Sequence, residues 1–96
     1  MIIAKVVGNI WATRKEESLV GRKLMIVQPS RLTGEAVGEC FVAVDAVDAG
    51  IGEMVLVATG SSARRAEGQL ESPVDAAIVA IIDIHEVNRA KDAPNG

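Results

Sequence analysis

Ninety-six residues are enough for one domain with a small core, since a chain of this size buries only about two-thirds of the surface it exposes when unfolded. Thirteen Asp and Glu residues against ten Lys and Arg leave a net charge of −3, and the cations are scattered rather than grouped, which argues against a nucleic-acid-binding surface. The single cysteine, Cys40, excludes an intrachain disulfide, and with His85 as the single histidine there is no Cys/His set for a metal.

Apolar residues make up 49% of the chain, yet only 2% are aromatic, with Trp11 and Phe41 alone and no Tyr. The core must therefore be Val, Ile, Leu, Met and Ala, a composition that favours strands. That is more apolar side chain than one small interior takes up, so self-association is expected. The N-terminus has no basic stretch ahead of its apolar residues, and no apolar run approaches the roughly 18 residues of a membrane span. A soluble, cytosolic protein is expected.

Residues 2–13 read as a first strand, with Ile2, Ala4 and Val6 on one face and Ile3, Lys5 and Val7 on the other. Gly8 interrupts the alternation, as happens where a strand bends or takes a bulge. Residues 14–18 form a charged connection closed by Gly21. A second strand covers 24–27 (LMIV), and Gln28-Pro29-Ser30 is expected to stop it, because proline cannot donate to a ladder. Residues 31–39, with Gly34 and Gly38 among polar neighbours, read as a hairpin-type connection, and 41–47 (FVAVDAV) as a third strand.

The segment 45–64, DAVDAGIGEMVLVATGSSAR, is the centre of the pattern. Gly50 and Gly52 bracket Ile51 and supply turn geometry that side chains would resist. MVLVAT, residues 54–59, is uncharged and β-branched, the mark of a strand covered on both faces. Gly60 ends it, and Ser61 or Ser62 can cap a short helix. A polar loop follows over 65–72. Residues 76–87 form the longest apolar segment, which its Ile and Val content assigns to a fifth strand with Ile78, Ala80, Ile82 and Ile84 on the core face.

The predicted fold is all-β, a small five-stranded OB-like barrel with one short helix between the fourth and fifth strands. A split sandwich is the main alternative. One domain over residues 1–88 is expected, followed by a polar, disordered tail over 89–96.

The chain resembles the EutN/CcmL family, vertex proteins of bacterial microcompartment shells. The resemblance is carried by Val7-Gly8, by LVGRKL at 19–24 running into Val27-Gln28-Pro29, and by DAVDAGIGE at 45–53. Val55-Leu56-Val57, then GSSAR at 60–64, PVDAAI at 73–78 and Ile81-Ile82-Asp83 complete it. Each motif alone is weak; their succession in one order is specific. One departure is the polar, Pro94-containing segment 88–96, where many members carry further strand-like residues. The resemblance implies a structural protein, not an enzyme, that forms homopentamers at the five-fold vertices of a polyhedral shell. Its partners would be further copies of itself and hexameric shell proteins, with no nucleic acid, membrane, metal or cofactor, and its location the microcompartment shell of the cytoplasm.

Several motifs invite chemistry and admit simpler readings. Gly60, Ser61, Ser62, Ala63 and Arg64 could cradle an anion, but no Walker-type lysine follows, and a subunit interface is the better assignment. The Arg64 fork would grip a carbonyl or carboxylate there, with Glu53, Asp48 and Asp75 as candidate partners. Ser61 or Ser62 with His85 and Asp45, Asp48 or Asp83 has triad residue types but no nucleophile elbow. Gly50 and Gly52 lack the third glycine of a dinucleotide site and are read as structural turn residues. Trp11 is assigned to an oligomer contact, and Cys40 to a buried or half-buried strand start. The alternative to a shell subunit is an OB-type ligand- or nucleic-acid-binding module that oligomerises, which would need a basic, aromatic face.

Overall fold

The computed structural model describes residues 1–11, 17–60 and 75–83, with Ser18 described by its backbone only. Five strands are present: β1 (Ile2–Ile10), β2 (Leu24–Pro29), β3 (Phe41–Asp45), β4 (Met54–Thr59) and β5 (Ala76–Ile81). They close on themselves in the order β1-β2-β3-β5-β4. All neighbours are antiparallel except β3 and β5, which run parallel. Closure removes the sheet edges that an open five-stranded sheet would leave to water. The expected helix between β4 and β5 lies outside the described residues, as do the segment 84–87 and the polar tail over 89–96.

The interior is filled by one small-residue set from every strand. Ala4, Val6, Val27, Ala43, Val55, Val57 and Ile78 are completely buried, and Met25 is 2% exposed. Period-two alternation puts these side chains inside and their sequence neighbours outside. Val6 faces Val27, and Val57 faces Ile78 across the barrel wall. A second, smaller cluster of Ala58 and Ala77, with Val79 against it, lies on the opposite face of the β4–β5 pair. β4 therefore has apolar cover on both faces, as its uncharged sequence predicts.

Two bulges set the curvature. The β1–β2 register shifts between Val6 and Gly8, leaving Val7 unpaired and 45% exposed. A second shift lies between Leu56 and Val57, where β5 skips Val79. This second bulge corrects the expected face of the last strand. Ile78 is interior, but Ala80 pairs with the outward Leu56, so Ile78 and Ala80 do not share the core face.

Strand ends also differ from expectation, each for a local reason. β1 stops at Ile10, before Trp11, rather than at 13. β2 continues through Pro29 instead of stopping at Val27. Ser30 N–H donates to Ile3 O and Val37 N–H to Pro29 O, so Pro29 turns its missing N–H away from β1 and the β1–β2 ladder loses nothing. β3 ends at Asp45 rather than at 47, and β5 at Ile81 rather than at 87. The connection over 31–39 is a hairpin-like excursion closed by a Ser30–Ala36 bridge and an Arg31 N–H to Glu35 O bond of 2.8 Å. Glu17–Leu19 is a single 3-10 turn within the charged connection.

Candidate functional site

The antiparallel order gathers the end of β1, the start of β2, the β3–β4 loop and the end of β5 at one end of the barrel. The β3–β4 loop there is cross-linked almost residue by residue. The Asp45 carboxylate, whose side chain is fully buried, accepts from Val47 N–H at 3.0 Å and from Ala49 N–H at 2.7 Å. A short polar side chain that folds back on its own backbone ends a strand in this way. Ala49 is drawn into the core, 1% exposed.

Lys23, just before β2, crosses to this loop. Its ammonium donates to Asp48 Oδ1 at 2.9 Å and to Ala49 O at 3.3 Å, and lies 3.4 Å from Asp45 Oδ2. Its hydrogen bond to Asp48 raises the Lys23 pKa above the ordinary lysine value, against a smaller desolvation that lowers it. The same hydrogen bond, then the charge of Lys23, hold the Asp48 carboxyl below its ordinary range.

The turn beyond is closed by Glu53. Its Oε1 accepts from Gly50 N–H at 2.6 Å, and Glu53 N–H donates to Gly50 O at 3.2 Å. Gly52 has φ of +94° and donates to Val6 O at 2.8 Å, while Gly50 lies outside the left-handed region. Of the two glycines, Gly52 thus holds the conformation that side chains disfavour. Ile51, between them, is 63% exposed.

Across the same end, a cleft is lined by Asn9, Ile10, Trp11, Arg22, Lys23 and Leu24, with Gly21. Trp11 stands out from it, 91% exposed. Cys40 belongs to the other end and is exposed, not buried or half-buried as its place before β3 had suggested; its thiol donates to Gln28 Oε1 at 3.0 Å.

Of the residues proposed for an interface, Gly60 is described, with φ of +68° and its N–H on Asp75 O at 2.7 Å. Ser61, Ser62, Ala63 and Arg64 lie outside the described residues, as does His85. Of the candidate carboxylates, Asp45 and Asp48 meet at the Lys23 ammonium, and Glu53 closes the neighbouring turn. Asp45 is engaged by its own loop and by Lys23, Asp48 by Lys23, and Glu53 by Gly50. Among the described residues no group of three or more His, Cys, Asp and Glu could hold a metal ion, and no helix is long and apolar enough to cross a membrane. The Lys23 link was not foreseen from the sequence, because its partners are 22, 25 and 26 residues away in the chain.

These features define a small closed β-barrel in which, among the described residues, Lys23, Asp45, Asp48 and Glu53 fix the β3–β4 loop. The family model for the ethanolamine utilisation protein EutN/carboxysome proteins matches residues 1–83. The chain is 47% identical over 88 residues to the microcompartment shell vertex protein GrpN of Rhodospirillum rubrum, covering 90% of this chain and 97% of that one. It is 49% identical over 83 residues to the carboxysome shell vertex protein CcmL of Synechococcus elongatus, covering 86% and 84%. The fold superposes on the solved CcmL of Nostoc sp. PCC 7120 with a TM-score of 0.80 at 46% identity, over 86% of this chain and 89% of that one. For the pentameric microcompartment shell protein GrpN the TM-score is 0.76 at 43% identity, over 86% and 94%. The chain belongs to the EutN/CcmL family.

Proposed function

We propose that this chain is a structural subunit of a bacterial microcompartment shell, a homopentamer that caps the five-fold vertices and performs no chemistry of its own. The observation that carries the reading is the continuous likeness, over nearly the full length of both chains, to proteins named as shell vertex proteins. It includes a solved structure named as pentameric. Six-fold tiles make a flat layer, and closing such a layer into a polyhedron requires five-fold points. A ring of five is built from heterologous contacts, in which one surface of each subunit meets a different surface of the next. The high apolar content then has a place to be buried, between neighbours and along the rim with hexameric shell proteins. Gly60, Ser61, Ser62, Ala63 and Arg64 are proposed as part of that subunit contact.

Native mass spectrometry tests this directly. The expected species is about five times the 10.1 kDa chain, and it should co-assemble with hexameric shell proteins into closed particles. A single-chain mass at micromolar concentration would instead favour an OB-type binding module. Within the ring, Arg64→Ala should weaken the oligomer, and an unchanged mass and dissociation concentration would remove Arg64 from the contact.

A further inference from the structure

Lys23 and Asp45 form the cross-strand pair next after Leu24 and Val44, with Asp45 N–H donating to Lys23 O at 2.9 Å. Side chains two residues apart on a strand share a face. Met25 and Ala43, two residues further in, pair with each other and fill the core. The apolar interior therefore ends, at this mouth of the barrel, in an ammonium and a carboxylate 3.4 Å apart. The Asp45 side chain is fully buried there, whereas that of Lys23 is 46% exposed.

A buried carboxylate is tolerated while donors and an opposite charge compensate it, and becomes costly when one of these is withdrawn. Without the ammonium, Asp45 would keep the N–H groups of Val47 and Ala49 and lose its counter-charge. Relief then means bringing the carboxylate to water. What moves with it decides the consequence. Asp45 is the last residue of β3 and belongs to one of the two pairs that join β3 to β5, opposite Ile78. Ala46 N–H, directly after it, donates to Ile78 O at 3.2 Å. Ile78 is fully buried and also pairs with Val57, so β5 stays with β4 when the end of β3 turns outward.

We infer that the Lys23 ammonium is the catch that keeps the barrel closed between β3 and β5, acting through Asp45, and that the β3–β4 loop holds the catch in place. Asp48 Oδ1 accepts from the ammonium at 2.9 Å and Ala49 O at 3.3 Å. Releasing the catch parts one strand junction and leaves the other ladders formed, a local opening rather than an unfolding. Its Lys23–Asp48 half is solvent-accessible, so dissolved ions weaken it.

Hydrogen exchange on the full chain, followed amide by amide by NMR, tests this. Ala46 N–H reports the β3–β5 junction, and Ser30 N–H, bonded to Ile3 O at 3.0 Å between β2 and β1, is the reference. Lys23→Met keeps the length of the side chain and removes its charge. It should speed exchange at Ala46 by about tenfold or more beyond any change at Ser30. Lys5→Met, which removes an exposed ammonium from β1, should change neither. Raising salt to about 1 M, where the screening length falls to about 3 Å, should speed Ala46 relative to Ser30 in wild type and not in Lys23→Met. An unchanged Ala46 rate in Lys23→Met overturns the inference, as does a like effect from Lys5→Met or a salt effect of the same size in wild type and Lys23→Met. Equal acceleration at both amides overturns it too, by making Lys23 a general stabiliser. Should Lys23→Met fail to fold, the wild-type salt series decides, and an Ala46 rate that keeps step with Ser30 overturns the inference.

Discussion

Lys23 Nζ lies 2.9 Å from Asp48 Oδ1, joining the approach to β2 to a loop that begins only after β3 has been completed. Asp48 is also the described non-glycine residue with a left-handed backbone, at φ 59°. Asp and Asn tolerate that conformation better than other side chains. The pair therefore secures a local geometry that is uncommon for the chain and places Ala49 in the core.

Asp48→Asn keeps the backbone preference and removes the charge, so it isolates the ion pair. The folded-state carboxyl lies below its ordinary range and the folded-state ammonium above its own. The carboxylate contribution is present above the unfolded carboxyl pKa and is lost as pH falls through the depressed folded value. The ammonium contribution is present below the unfolded lysine pKa and is lost as pH rises through the raised folded value. Wild type should melt above Asp48→Asn between these limits, with the margin shrinking towards both extremes. A margin that does not change with pH would contradict this assignment. Salt should shrink it as well, since both groups are solvent-accessible.

Asp45→Ala strips two backbone N–H groups, those of Val47 and Ala49, of their acceptor. The expected loss is about 2–4 kcal/mol, from roughly 1–2 kcal/mol for each bond left unmade near the core. Urea or thermal unfolding at neutral pH measures it, and a change within about 0.5 kcal/mol would mean that water replaces the carboxylate at no cost.

The two glycines of the turn should differ under substitution. Gly52→Ala forces a side chain onto φ +94° and should cost about 1–3 kcal/mol. Gly50→Ala has an ordinary φ, and its Cβ would lie 3.1 Å from Glu53 Oε1, the movable end of a side chain. It should cost less, and the ranking of the two melting temperatures decides the matter. Equal losses would show that the turn is held as a unit and not by one residue.

Ile78→Ala opens the core where three strands meet. Ile78 is fully buried, pairs with Val57 and Asp45, and accepts a bond from Ala46 N–H. A destabilisation of about 2–5 kcal/mol is expected from the lost burial and the cavity together. Chemical denaturation checks it, against a smaller effect of about 0.5–1.5 kcal/mol for Ile78→Val.

Much of the fold can be read from local pattern. β4 is bounded as expected because uncharged, β-branched residues between two glycine turns leave few alternatives, and the break in alternation at Gly8 does mark a bulge. The Val79 bulge left no such mark, since no glycine accompanies it; the shift shows only against β4. Pro29 misleads for a related reason: whether its missing N–H matters depends on which way that edge faces, and pairing decides that. β3 stops early because the Asp45 side chain turns back on the amides of Val47 and Ala49, which strand periodicity does not register, and the role of Lys23 depends on contacts across 22 or more residues. Periodicity does not encode such contacts. The glycine turn over 50–53 was visible, but which of its glycines carries the left-handed backbone was not.

The parallel seam between β3 and β5 is shorter than any other contact around the barrel. It consists of Val44 with Ala77 and Asp45 with Ile78, followed by the Ala46 N–H to Ile78 O bond at 3.2 Å. By contrast, β1 and β2 share six pairs and β4 and β5 share five. In solution the molecule is thus a curled antiparallel ribbon fastened by a short clasp, and its cheapest opening is a tear along that line. Deuterium should enter at Ala46 before it enters the amides of the β1–β2 ladder. A subunit caught with the clasp undone presents two bare strand edges, so exchange of strands between copies is the failure to which this architecture is most exposed.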